Sequence, residues 1–208
     1  TRPAALGPVF ARHGYLFLYL FRRGAGLSAD QGTHSEALMS RALAEHGQEG
    51  RNTRQLELLH AELQDALSGL AFLRASSEVD ARRIAAIGHS FGGSLTLLLA
   101  ERDTAVRAAV VFSAAGFSWN RSPGLRVQLV AAVGKGSAAT LFIHAANDFS
   151  VEPGETMAAE MTRRGKPNRL IIYPPIGTTS REGHDFIHLG VATWERDVFA
   201  FLGDYLRS

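Results

Sequence analysis

The sequence predicts an α/β domain organised around a mostly parallel sheet, and three observations predict it. Short runs of apolar residues recur along the chain, continuous rather than alternating. Helical patterns lie between those runs. One run passes directly into a helix through Gly88-His89-Ser90-Phe91-Gly92. A continuously apolar strand suits a sheet covered on both faces, and strands alternating with helices give parallel connections.

Taken in order, the predicted strands are 15–19, 83–87, 108–112, 140–145 and 169–173. Between the first two, residues 22–51 are rich in Gly, Ser and His and read as surface loop with a little helix. The longest helical pattern is 53–73, where Leu56, Leu59, Leu63, Leu67 and Leu70 fall near helical spacing and Thr53 supplies an N-cap. Further helices are expected at 90–101, 152–164 and 193–206, with a short helical excursion inside 115–139 and no large lid. Residues 174–183, with Pro174, Pro175 and Gly177, read as an exposed loop ending just before His184.

At 208 residues the chain has room for one such domain, 1–208, with a full core, and not for a second large one. The formal net charge is only +2, and the arginines are interleaved with acids, as in Arg102-Asp103 and Arg196-Asp197. That describes a solvated mixed-charge surface rather than a nucleic-acid face. The absence of cysteine excludes disulfides, thiolate metal sites and a thiol nucleophile together. No apolar run approaches the roughly 18–20 residues of a membrane span. No signal sequence opens the chain, which begins at Thr1. The expectation is a cytoplasmic protein, with the periplasm left open because the native N-terminus is expected to lie upstream.

The G-x-S-x-G pattern at a strand-to-helix junction carries chemistry. A serine on a very tight turn projects its hydroxyl above the sheet, and Gly88 and Gly92 provide the small flanking residues such a turn calls for. The amide of Phe91 then points at the position where an oxyanion develops, near the positive end of the following helix. A serine hydroxyl needs a base to take its proton, and the base needs an anionic partner to fix its tautomer. With this kind of nucleophile turn those partners follow in the order acid, then histidine. Asp148 stands just past the 140–145 strand, at the sheet edge where ligands bind. His184 follows the Pro/Gly-rich loop after the last strand, and is preferred to His188 four residues on. His34, His46 and His60 precede the serine and are expected to face solvent, and His144 reads as a core histidine. Phe117, Trp119, Phe149 and Phe186 lie close in sequence to the catalytic candidates and are candidate pocket residues. With no large lid, the site is expected to be open and shallow, suited to small or medium acyl groups.

Gly88-His89-Ser90-Phe91-Gly92-Gly93, Asn147-Asp148-Phe149-Ser150 and Glu182-Gly183-His184-Asp185-Phe186 together resemble the dienelactone hydrolase-like branch of the α/β-hydrolases. The stretch from Arg12-His13-Gly14-Tyr15 to Arg23-Gly24-Ala25-Gly26-Leu27-Ser28 is similar to the same superfamily. The resemblance covers nearly the whole chain. It implies hydrolysis of carboxylic esters through an acyl-enzyme without a cofactor, with Ser90 as nucleophile, Asp148 as acid, His184 as base and Phe91 as oxyanion donor. Two departures matter. Dienelactone hydrolases proper use cysteine, so serine points toward ordinary esterases. The superfamily also takes a second oxyanion amide from a loop after an earlier strand, and that strand and loop are expected to lie outside this sequence.

Other motifs carry less. Gly24-Ala25-Gly26-Leu27-Ser28-Ala29 fits a loose dinucleotide pattern but runs into loop-like sequence instead of a helix. His184 and His188, four apart, have a zinc-like spacing but no third ligand and no glutamate between them, so no metal is expected. The partner expected is a small-molecule ester, with neither nucleic acid nor membrane. Two alternatives stay open: a prolyl-oligopeptidase-like peptidase or amidase, and a non-catalytic binding protein of the same fold.

Overall fold

The computed structural model describes residues 2–207. After helix α1 (Arg2–Arg12) and a 3-10 turn (Gly26–Gln31), the elements are α2 (Ser35–Ala75), β1 (Ile84–His89), α3 (Phe91–Arg102), β2 (Val106–Phe112), α4 (Pro123–Lys135), β3 (Ala139–Ala145), α5 (Glu152–Arg163), β4 (Asn168–Tyr173), α6 (Ser180–His184), α7 (Phe186–Leu189) and α8 (Val191–Leu206). The four strands form one sheet in the order β1-β2-β3-β4, every neighbouring pair parallel. Parallel neighbours need crossovers, and right-handed crossovers between strands laid down in sequence put their helices on the same face. Accordingly α3, α4 and α5 share a face with α2, while α1 and α8 cover the other.

The strands show why their sequences are continuously apolar. Along β2, Ala109 and Val111 enter the core beneath α2–α5, while Ala108, Val110 and Phe112 enter the core under α1 and α8. Apart from the exposed Arg107, each residue of β2 is buried on one side or the other, so period-two alternation is invisible in the sequence. The first core is filled by Leu59 and Leu63 of α2, Leu97 and Leu98 of α3, Leu125 and Leu129 of α4, and Met157 and Met161 of α5. The second is built on Trp194, Val198 and Leu202 of α8, with Phe10 of α1 edge-on to Phe199. Trp194 packs edge-to-face on Phe112 at 5.2 Å and donates its indole N–H to the Ile187 carbonyl at 3.1 Å, fastening α8 to the turn of chain that follows His184.

Three expectations are corrected. Residues 15–19 form no strand. A strand needs a neighbouring backbone about 4.8 Å away to satisfy its N–H and C=O groups, and here a cavity of about 590 Å³ is lined by residues 15–20 together with β1. The outer edge of β1 is thus unpaired among the described residues. The helix expected from Thr53 begins at Ser35 and takes in much of the stretch read as loop. His34 caps it, its ring Nδ1 accepting the Glu36 amide. Gly47, at φ +67°, divides it into two segments, and the small and polar residues around that break hid the first segment. Finally, the 174–183 loop closes earlier than expected, because residues 180–184 are helical. Among the described residues no helix is long and apolar enough to cross a membrane.

The weight of the second core on Trp194 gives a direct check. Its side chain is fully buried, and Trp194→Ala is expected to cost about 3–5 kcal/mol of unfolding free energy, measured from urea midpoints.

Candidate active site

Ser90 joins β1 to α3 at φ +55° and ψ −117°, in a region where a residue with a side chain costs roughly 1–3 kcal/mol. Hydrogen bonds on both sides hold it there: its amide donates to the Phe112 carbonyl of β2 at 2.9 Å, and its carbonyl accepts the Ser94 amide at 3.1 Å. A Cβ at Gly88 would overlap the Gly92 carbonyl oxygen, so glycine is required there. A Cβ at Gly92 would meet nothing within 4 Å, so steric need at the turn falls on Gly88, contrary to the symmetric requirement the motif suggested. Phe91 opens α3, and its amide has no partner within the helix.

Asp148 sits three residues beyond β3, in a turn closed by its amide on the Ala145 carbonyl at 3.0 Å. Its carboxylate is fully buried. Oδ1 lies 2.7 Å from His184 Nδ1 and accepts the Phe149 amide at 2.7 Å, while Oδ2 lies 2.9 Å from His144 Nδ1. His184 Nε2 in turn lies 2.8 Å from Ser90 Oγ. One line of hydrogen bonds therefore connects three side chains separated by 94 and 36 residues in sequence.

His184 is the last residue of α6, a helix started by a reciprocal capping box between Thr179 and Glu182. Gly183 lets that helix press against the Asp148 turn, since a Cβ there would lie 2.6 Å from the Asn147 backbone. Asn147 binds the loop itself, donating to the Ile176 and Thr179 carbonyls at 2.9 and 3.0 Å and accepting the Ile176 amide at 3.1 Å. His89 holds the far side, its ring Nε2 on the His184 carbonyl at 2.7 Å.

Chemistry fixes the protons. An ionised carboxylate only accepts hydrogen bonds, so both imidazoles facing Asp148 present Nδ1–H, which leaves the neutral His184 Nε2 as acceptor for the Ser90 hydroxyl. Burial alone raises an acid's pKa, but the hydrogen bonds from His144 and His184 outweigh it and hold Asp148 well below the usual carboxylate range. Burial, reinforced by the neighbouring His184, pushes His89 down to about 4, so it is neutral at pH 7 and donates Nε2–H to the carbonyl.

Of the expected pocket residues, Phe117 and Phe149 lie at the surface on the side of His184. Each is 40% exposed, their rings meet edge-on at 5.3 Å, and Phe149 lies 5.2 Å from the His184 ring. The guanidinium of Arg121 stacks over Phe117 at 4.0 Å. Trp119 and Phe186 are corrected: at 0% and 2% exposure they belong to the two cores, Trp119 beside α4 and Phe186 against Tyr173. His34, His46 and His60 are exposed. The ring of His188 lies 6.1 Å from that of His89 and makes no part of the line through Ser90. Both nitrogens of His184 are occupied, so it has none for the zinc-like pairing with His188. Among the described residues no cluster of His, Asp and Glu is set to hold a metal ion.

Sequence reasoning left His144 in the core and assigned nothing to His89 or Asn147. For His144 a signal existed, since His144 and Asp148 are four apart across a strand end. His89 and Asn147 act on backbone atoms about 95 and 30 residues away, and no local pattern encodes that.

Solved structures share this arrangement of sheet and helices. Acylaminoacyl peptidase of Pyrococcus horikoshii superposes with a TM-score of 0.57 at 17% identity, over 71% of this chain and 28% of that one. Est1E of Butyrivibrio proteoclasticus gives 0.56 at 18% identity, over 72% and 71%. A fungal esterase of Rhizomucor miehei gives 0.56 at 15%, over 70% and 60%. The fold is the α/β-hydrolase fold. The profile of the dienelactone hydrolase family matches residues 9–182, and the chain belongs to that family of hydrolases. No curated protein matches it, and the chain spans little more than a quarter of the acylaminoacyl peptidase.

His89 makes a testable contribution to stability. Its pKa is lower in the folded state than in the unfolded one, so the unfolded chain binds the extra proton and stability falls as pH drops from about 6.5 toward 4. His89→Gln keeps an N–H for the His184 carbonyl but does not titrate. Its stability loss over that window, from urea melts, is expected to be smaller than that of the parent by about 2–3 kcal/mol.

Proposed function

We propose that this protein is a serine esterase cleaving small to medium carboxylic esters through an acyl-enzyme. The observation that carries the reading is the continuous line from Ser90 Oγ through His184 to the buried Asp148 carboxylate, at 2.8 and 2.7 Å. Ser90 Oγ attacks the ester carbonyl carbon as its proton passes to His184 Nε2. Asp148 steadies the imidazolium and holds its Nδ1–H. The Phe91 amide receives the oxyanion, an interaction worth about 3–4 kcal/mol per donor. His184 then gives the proton to the leaving alkoxide as the C–O bond breaks, and water, deprotonated by the same ring, releases the acid and restores Ser90. No step calls for a cofactor. The exposed Phe117–Phe149 pair beside His184 offers apolar surface for an acyl or alcohol group, and its openness favours short chains over long ones.

Peptide or amide substrates form the second reading, favoured by the likeness to acylaminoacyl peptidase. Hydrolysis of p-nitrophenyl esters from acetate to octanoate, beside the matching p-nitroanilides, tests both. Ester turnover is expected, greatest for the shorter acyl groups, with Ser90→Ala lowering it on the order of 10⁴-fold or more. Anilide turnover exceeding ester turnover would transfer the reading to a peptidase. Absence of Ser90-dependent turnover, together with no labelling of Ser90 by a fluorophosphonate, would point to a binding protein.

A further inference from the structure

We infer that His144 is a second imidazole acting on the Asp148 carboxylate, a positioning residue that fixes the plane of the acid and tempers its pull on His184. The inference rests on the triad reading above and extends it to a residue outside the triad.

The geometry leaves few other roles for this side chain. His144 is the penultimate residue of β3, in the sheet, and its ring is 1% exposed. Its Nδ1 lies 2.9 Å from Asp148 Oδ2, the oxygen His184 does not use. Since the carboxylate accepts only, the bond is donated by His144 Nδ1–H. With one imidazole on each oxygen and the Phe149 amide on Oδ1, the carboxylate cannot rotate without breaking a buried hydrogen bond. The ring is confined from behind as well. A Cβ at Gly154, in the first turn of α5, would lie 2.8 Å from His144 Nε2 and Cδ2, so glycine makes the room this ring occupies.

Two consequences follow for the reaction. Orientation is the first: a carboxylate free to turn spends part of its time pointing away from His184 Nδ1. The second is electrostatic. A donor on Oδ2 drains charge from the carboxylate, so Asp148 stabilises the His184 imidazolium less than an undivided anion would. Removing the donor is expected to make His184 hold its proton to higher pH. The other titratable groups near His184 are His89 on β1, its ring centroid 4.9 Å away, and Asp185 and His188 just beyond α6, and all three are present in every variant compared.

The test compares His144→Phe, which keeps a ring but no donor, with His144→Asn, which keeps an N–H near the Nδ1 position. Both are assayed on p-nitrophenyl acetate across pH, with folding checked by circular dichroism. His144→Phe is expected to lower kcat about tenfold, the rate equivalent of one net hydrogen bond, with KM within about twofold. Its acid limb of kcat/KM is expected to move about half a pH unit toward alkaline, and His144→Asn to recover most of both effects. Unchanged kcat and limb in His144→Phe, or an equal defect in His144→Asn, overturns the inference. Histidine side-chain ¹⁵N spectra of the unsubstituted protein give a reading that needs neither folded variants nor activity. His144 is expected to be protonated at Nδ1 and bare at Nε2, and the opposite tautomer overturns the inference. If the spectra agree while Ser90-dependent turnover is absent, it is the esterase reading that fails and the double clamp on Asp148 that stands.

Discussion

An ionised carboxylate buried without partners costs several kcal/mol, more than most of the surrounding contacts return. Asp148 is buried but not without partners, and the architecture around it supplies the donors that keep it charged. Its three donors come from three places: the strand that ends before it, the amide that follows it, and a helix that begins 32 residues later. Each has its own support. His144 is set by the sheet and by the gap at Gly154, and His184 by the Thr179–Glu182 box, the Asn147 staple and the His89 bond to its carbonyl. Loss of any one support leaves a charge short of donors in a place where water does not reach.

The sheet supplies the convergence. Because the strands lie in sequence order and run parallel, all their C-terminal ends open on one edge, where the turns after β1 and β3 and the loop after β4 come together. Ser90 takes part through a strained backbone, and the strain persists because the Phe112 carbonyl and the first turn of α3 both hold it. That strain and the buried carboxylate are local costs, offset by two large apolar cores on either side of the sheet.

How far the sequence could be read follows from what each feature depends on. The four paired strands and the helices after them were legible because both faces of a parallel sheet are covered, and continuous apolar runs record that directly. The 15–19 segment carries the same kind of run yet joins no ladder and stays half-buried to exposed, since an apolar run says nothing of whether a backbone partner or a covering layer is in reach. The first half of α2 escaped notice because its helix is interrupted at Gly47 and, of its apolar side chains, only Met39 is buried. Trp119 and Phe186 were placed near the chemistry by proximity in the chain, and their side chains turn inward instead.

By itself the sequence determined the class of the sheet, the serine on its glycine turn, and the order in which an acid and a histidine follow it, because each rests on short-range backbone constraint or on hydrophobic patterning. Tertiary structure decided what surrounds those three: that His144 shares the acid, that His89 and Asn147 fasten the histidine's loop, and that Gly88 rather than Gly92 bears the steric demand of the turn. These are contacts between groups that the chain brings together only on folding. Hydrogen bonds and close approaches of that kind depend on ångström-scale distances across elements, a quantity that spacing along a sequence does not contain.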